Sequence, residues 1–339
     1  MRLPTPATFS HPDWTRAISA HVLGATFVQV PESGIPRLSG LLRKTRWPLP
    51  HYDTWLTPLT PTGQPAAGLP PKTEDALALL EVTDGPVLFR NMRLAHPVTQ
   101  TLLAAASYQN IIKTWQRAGL NLEGSYEDWL MQNFDQKRRK ELKRLRARLG
   151  EQGALESIAL EPDGDLEPFL HAFLKLEAKS WKGKRGTAVA NDSKLQSGLA
   201  AGLHAMHGNG RLKFWQINFN GEAIASLFAL VDDGEVTLGK IAHDEAFAKS
   251  SPGVLIILDA TASLMGQPGL TLADSNAMPG HPMIDRIWRD RIECVDVLLA
   301  GPSTPSPLFT FLARYIGTKF AAKEKAKRVL AHWTGRKLS

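Results

Sequence analysis

The chain has 339 residues, 43% of them hydrophobic, and a formal net charge of +7. That length leaves room for two domains with real cores. No apolar run approaches the roughly 18 residues of a membrane span, the opening MRLPTPATFSHPDW lacks the basic-then-apolar order of a signal peptide, and the single cysteine, Cys294, has no internal partner for a disulfide; a cytoplasmic protein without a transmembrane segment is expected.

The first 70 or so residues are rich in Pro and Gly (RWPLP, LTPLTPTGQP, GLPP) and read as loops and extended pieces. HVLGATFVQV and GPVLFRNMRL read as strands, TEDALALLEV and the long HPVTQTLLAAASYQNIIKTWQRAG as helices, giving an α/β lobe over residues 1–124 with no close sequence repeat later in the chain. Residues 137–148, KRRKELKRLRAR, then carry eight basic residues and one acidic one, so the rest of the chain, with 32 of each, is neutral. Leu142, Leu145 and Leu149 give this helix one packing stripe, and its basic residues fan outward. They are either a solvated face or the contact for an anionic partner such as tRNA or acidic lipid.

LESIALE reads as a strand, and DGDLEPFLHAFLKLEAKSW as a helix with Asp165 at its cap and Leu166, Phe169, Leu170, Phe173 and Leu176 inward. KGKRGTAVANDS is a loop. KLQSGLAAGLHAMHGNG is a second helix with Leu195, Leu199, Leu203 and Met206 on one side. RLKFWQINF, EAIASLFALV and EVTLGKIA follow as a meander, separated by Asn-Gly and Asp-Asp-Gly, strong hairpin signals. A helix starts at Pro252, whose missing N–H belongs at a first turn, with Ser250 or Ser251 able to cap it. After the turn at Gly266–Gly269, LTLADS is a strand parallel to EVTLGKIA because a helical crossover joins them. RIECVDVLLAG is a later strand, and residues 303–339 form a basic helical region.

The chemistry concentrates between EVTLGKIA and the Pro252 helix. The free N–H groups and positive dipole end at the start of the Pro252 helix are either a simple cap or an anion site, for which pyrophosphate is a natural occupant. Strand alternation puts Lys240 and Asp244 on one face and His243 and Glu245 on the other, so these groups do not share one pocket. His243 has the pKa range of a base near neutral pH, or is a satisfied, partly buried histidine; Asp244 is a proton-handling carboxylate or a turn former.

The β-α-α-β-β-β-α-β order, with YEDWLMQNFDQKRRKELKRLRARL, LEAKSWKGKRGTA, GEAIASLFALVDDGEVTLGKIAHDEAFAKSSPGVLI and DSNAMPGHPMIDRIW, resembles the GNAT acyltransferase superfamily, in its CelD/BioF-like branch related to the FemAB peptidyl transferases. HYDTWLTPLTPTGQP and GPVLFRNMRL resemble the lobe that precedes this domain in such proteins. The resemblance implies an α/β fold of two GNAT-like lobes, with mostly antiparallel central sheets flanked by helices: a non-catalytic lobe at 1–124, an acyltransferase domain at 125–302, and the C-terminal helical region. It implies a donor, acyl-CoA and first of all acetyl-CoA, lying in a V where the strand before the Pro252 helix splays from the next. Lys240, His243, Glu245, Ser250, Ser251, Gly253 and Val254 would line the donor. Glu177, Trp181 and Lys182 would shape an acceptor pocket, with Glu177, His243 and Asp244 as the groups handling protons; Asp274, Arg286 and Trp288 are further acceptor-side candidates. Glu177 also reads as an ordinary Glu–Lys surface pair. Ten His and one Cys show no metal-ligand spacing, and no metal is expected.

Three readings remain open at this level. One is acyl transfer from acyl-CoA to an amine or hydroxyl of a small metabolite, sugar or lipid/envelope precursor. The second is FemAB-like transfer from aminoacyl-tRNA. The third is a non-catalytic binding module, to which the phosphate loop, reduced to Ala-Lys-Ser-Ser-Pro-Gly, points.

Overall fold

The hairpin signals hold. β8 (Leu212–Phe219), β9 (Glu222–Asp232) and β10 (Glu235–His243) form an antiparallel meander. Its turns place Asn220, Gly221, Asp233 and Gly234 at positive φ, where Asn, Asp and Gly are tolerated best. The computed structural model describes residues 6–22, 24–32, 36–180 and 189–334, with residues 327, 328 and 330–334 as backbone alone.

Beside β10, helix α8 (Pro252–Leu264) crosses to β11 (Leu272–Asp274), which pairs parallel to β10 as expected. The first half of the chain repeats this arrangement. β1 (Thr26–Val30), β2 (Leu38–Thr45) and β3 (His51–Thr54) are antiparallel in turn, and α2 (Thr73–Val82) crosses to β5 (Val87–Arg93), parallel to β3. β4 (Ala66–Ala67) pairs only with β2. The repeat is one of topology that sequence comparison of the halves does not reveal.

The helix expected over residues 96–119 is a short helix followed by a long strand. α3 (Pro97–Ala105) ends at Ala106, and β6 (Tyr108–Asn121) runs for 14 residues. Tyr108, Ile111, Ile112, Thr114 and Trp115 supply the β-branched and aromatic bias of a strand, and β6 finds a partner in β12 (Asp290–Ala300), paired from Tyr108↔Ala300 to Gly119↔Asp290. That partner lies 171 to 192 residues downstream, pair by pair, so the local pattern competes with a contact it cannot register.

β6 and β12 are exchanged between the halves. β12 follows β11 in sequence yet pairs with β5, while β6 follows β5 and pairs with β11. One continuous twelve-stranded mixed sheet results, in the order β1-β2-β3-β5-β12-β6-β11-β10-β9-β8, closed by β7 (Leu155–Ala159) at the edge.

Helices cover both faces. α1 (Pro12–Ser19), α6 (Glu167–Lys179) and α7 (Ser193–Gly208) bury Trp14, Phe173, Leu199 and Met206 against Phe214 and Phe228. The opposite face takes α4 (Tyr126–Asn133), α5 (Gln136–Gln152) and α8, with Trp129, Leu142, Leu149 and Ile256 inward. Leu142 and Leu149 are thus the packed stripe of the basic helix, with Leu145 half-buried. α2 and α3 pack on one face of β5 and β12; α9 (Ser306–Thr334) packs Phe309, Leu312 and Ile316 on the other. Asp165 caps α6 from just outside it, Oδ1 accepting the Glu167 N–H at 3.0 Å.

Candidate active site

β10 and β11 pair only from Glu235↔Leu272 to Thr237↔Asp274. β11 then stops, while β10 runs on to His243 without a strand partner on that side among the described residues; we call the gap beside this unpaired edge the V. At the same point β10 bulges against β9, Leu238 pairing Ala229 and Ile241 pairing Leu227 so that Gly239 and Lys240 together oppose Phe228. Gly239 permits this, since the Phe228 ring fills the space a Cβ would take.

The bulge sends Lys240 toward α6, where its Nζ lies 2.8 Å from Glu177 Oε1. Glu177 is fully buried, and its Oε2 accepts the Val189 N–H at 2.9 Å. Both oxygens are therefore used: Glu177 ties α6, β10 and residue 189 together. A buried carboxylate needs such partners, because its desolvation otherwise costs several kcal/mol, roughly.

At the wide end of the V, Asp244 Oδ1 accepts the Ala246 N–H at 2.9 Å and starts the 3-10 turn Glu245–Ser250, with Glu245 exposed. Ser251 then takes a left-handed conformation (φ +52°), and α8 begins at Pro252. Neither Ser250 nor Ser251 caps α8 with its side chain. The left-handed turn brings the Ser251 carbonyl over the helix instead, where it accepts from Val254 N–H at 2.9 Å and Leu255 N–H at 3.1 Å, while Ser251 N–H donates to Ala248 O. Of the N–H groups of Ser251, Gly253 and Val254, Gly253's is left without a backbone partner among the described residues. A Cβ on Gly253 would lie 3.1 Å from Met283 Sδ and 3.3 Å from His243 Nδ1, so His243 and Met283 pack over the first turn of α8.

Positive charge at this helix start comes mainly from side chains. An open groove of about 700 Å³ is lined by Ser251, Val254, Met283, Arg138 of α5, Arg286 and Arg289. Arg138 reaches Glu141 at 2.8 Å in a solvent-exposed pair, and Arg286 and Arg289 make no ion pair among the described residues. Three guanidiniums beside a helix N-terminus make this end of the groove electropositive.

The apex of the V is closed by charge. Asp274 and Arg117 of β6, both buried, pair at 2.6 Å, and Asp274 Oδ1 accepts the Asn276 N–H at 2.8 Å. Cys294 lies nearby; burial pushes its thiol up to about 11, and it stays neutral.

The sequence candidates thus separate. His243, Ser251, Gly253, Val254 and Arg286 gather at the helix start. Lys240 and Glu177 pair on the α6 side. Asp244 lines a second open groove, of about 630 Å³, with His171, Lys175, Lys179 and Phe247. Asp274 is sealed in its ion pair. Trp288 is a core residue, fully buried, with Nε1 donating to Thr261 Oγ1 at 3.0 Å. Trp181 and Lys182 lie outside the described residues. Arg138, Arg289, Met283 and Arg117 were not singled out; Arg138 had a signal as part of the basic run and Met283 lay within DSNAMPGHPMIDRIW, whereas Arg289 and Arg117 come from a loop and a strand with no local signal.

Residues 136–275 match the acetyltransferase (GNAT) domain family. A search of curated proteins finds no match. Among solved structures, FemX superposes with a TM-score of 0.57 at 9% identity, over 92% of this chain and 96% of its own. A conserved protein of unknown function from Bacteroides thetaiotaomicron VPI-5482 gives 0.53 at 12%, over 88% and 93%. The DUF2156 domain assigned to a lysylphosphatidylglycerol synthetase of Agrobacterium fabrum gives 0.52 at 8%, over 84% and 86%. At these identities the structures share the fold. The likeness to the GNAT family is carried by the domain match over residues 136–275, and the solved structures add that nearly the whole chain shares their fold.

Proposed function

We propose that this chain, with its GNAT acetyltransferase domain over residues 136–275, is an acyltransferase that moves an acyl group, acetyl first, from acyl-CoA to an amine or hydroxyl of a small metabolite, sugar or lipid/envelope precursor. The observation that carries the reading is the V between β10 and β11, opening onto an α8 start flanked by Arg138, Arg286 and Arg289. The arginines and the Gly253 N–H would hold the donor's phosphates, and the free edge of β10 from Leu238 to His243 would take its extended arm. Bound there, the donor supplies a thioester carbonyl for attack. His243, at the wide end of the V, is the residue proposed to take the acceptor's proton.

In this reading the first half is non-catalytic. What supports that is its own filling of the equivalent splay: Gly63 N–H donates to Arg90 O at 2.8 Å, Thr62 Oγ1 to Asn91 O at 2.9 Å, and the space left on the α1 side, about 20 Å³, holds no more than a water.

The test is isothermal titration with acetyl-CoA, a longer acyl-CoA and free CoA, for the wild type and Gly253→Trp. Micromolar-range binding, on the order of 8 kcal/mol, that the variant abolishes is expected; no binding by any CoA species would retire the reading. A second reading, FemAB-like transfer from aminoacyl-tRNA, is favoured by the continuity of the arginine groove with α5, whose Lys137, Lys140, Lys143, Arg144 and Arg148 are exposed. Binding of tRNA with a steep log-salt slope would select it.

A further inference from the structure

The apolar seat of α9 on the first-half sheet ends near Ile316. Beyond it, the helix and the strands β2, β3, β5, β12 and β6 enclose a cavity of about 420 Å³, inside the size range of small-molecule sites. The site lies in the other half of the molecule from the V. The segment after β11 touches both, through Met278 and Pro279 here and Met283 at the α8 start.

The lining is charged, and its charges are poorly matched to one another. Asp53 on β3 is shared by Arg43 and Arg90 at 3.7 and 3.6 Å, beyond hydrogen-bond distance, and Lys113 is 3.7 Å from Glu324. Lys319 and Lys323, one helical turn apart on α9, make no ion pair among the described residues. Cations exceed carboxylates, so the excess charge calls for an anion. Burial pushes the Asp53 and Asp296 carboxyls up from their ordinary range, against the pull of Arg90 and Arg43 on Asp53 and of the Asn91 N–H, which Asp296 Oδ1 accepts at 2.8 Å. Asp53 Oδ1, an acceptor, and Arg90 Nε, a donor, are both buried without a hydrogen bond. The rest of each side chain keeps some exposure, 13% for Asp53 and 31% for Arg90, so this wall sets an acceptor beside a donor, which suits a group that gives and accepts, as a hydroxyl does and an acyl chain or aromatic ring does not.

The walls are aromatic. Trp47, between β2 and β3, is 77% exposed, an indole with unusually little protein over it. Trp115 of β6 also lines the groove, with Lys113 Nζ 5.6 Å from its ring centre. Flat apolar faces beside hydroxyl-binding and anion-binding groups describe one ligand class. We propose that this groove binds a sugar carrying an oxyanion, as a phosphate ester or a carboxylate, with its ring against Trp47 and Trp115, its hydroxyls on Asp53 and Arg90, and its oxyanion between Lys113, Lys319 and Lys323.

The test is isothermal titration of the full chain with glucose 6-phosphate, glucuronate, glucose and inorganic phosphate. Saturable binding of at least one charged sugar is expected, with glucose and phosphate weaker by about tenfold or more, a step set by losing the ion contacts or the ring contacts respectively. The preferred charged sugar identifies the oxyanion. Lys319→Glu with Lys323→Glu, and separately Trp47→Ala, alter exposed positions and should each weaken binding by about tenfold, while Gly253→Trp should leave it unchanged. No binding of either charged sugar overturns the proposal, as does binding retained in both groove variants. Equal binding of phosphate and glucose 6-phosphate removes the sugar from it, and loss in Gly253→Trp moves the ligand to the V. Failure of CoA binding would leave this result standing, because the two sites share no side chain.

Discussion

Lys240 has its place through a chain of local causes. Gly239 cedes space to Phe228, the strand bulges, and the lysine swings to the buried Glu177 carboxylate. Removing one partner of a buried pair leaves the other uncompensated, which is far more costly than removing both. Lys240→Met should therefore lose about 3–5 kcal/mol of stability in urea denaturation, and Lys240→Met with Glu177→Leu should recover most of it. If the double variant is as unstable as the single one, the pair is not what holds α6 to β10. The sequence offered both residues as site candidates for sound reasons, a carboxylate near an aromatic and a lysine at a strand end, yet alternation alone could not show that a bulge would turn them toward each other. Trp288 failed as a pocket wall for a related reason: its indole N–H finds Thr261 inside the core, a contact set by packing of α8, not by spacing along the chain.

Individual elements were readable where their pattern is local. The β8–β10 meander, α6, α7 and the parallel β11 all follow from turn residues and apolar periodicity. β6 was not readable, because its partner β12 is remote. α3, ahead of β6, starts on a side-chain cap. His96 caps it, Nδ1 accepting the Val98 N–H at 3.3 Å, while Nε2 faces the Pro6 carbonyl at 3.0 Å. Only the neutral ring, protonated on Nε2, satisfies both contacts. Burial, with Arg93 nearby, lowers the His96 pKa to about 4. A histidine whose folded pKa is depressed contributes stability that is present above its unfolded value, near 6.5, and is lost as pH falls through the folded value. Between pH 6.5 and 4 the wild type should lose up to about 3 kcal/mol that His96→Asn, an alternative cap, does not lose. Parallel pH profiles of the two unfolding free energies would sink this assignment.

At the scale of the whole molecule, the exchange of β6 and β12 decides how the halves depend on each other. The lobe pattern expected from sequence is present as topology, β1-β2-β3-α2-β5 beside β8-β9-β10-α8-β11, but neither half has a complete sheet of its own. Residues 125–302, taken alone, would present the V with β11 stripped of β6, and would carry β12 with neither of its neighbours. β12 buries Val295, Val297 and Leu299 completely among first-half residues and Leu298 against Leu88 and α9, all of which residues 125–302 would lack, and each fully buried side chain of that kind is worth about 1.5–3 kcal/mol. A deficit of that size is comparable with the total stability of an ordinary domain. Residues 125–302 should accordingly fail to melt cooperatively as an isolated fragment, and the full chain should unfold in one transition, with tryptophan fluorescence and far-ultraviolet circular dichroism coincident in urea. Two separated transitions, or a fragment with its own sharp melt, would mean that the shared strands do not couple the halves. A single transition would instead make the first half part of the scaffold that holds β11 at the apex of the V, so that core changes near β5 or α3 would be felt as altered donor binding far from where they are made.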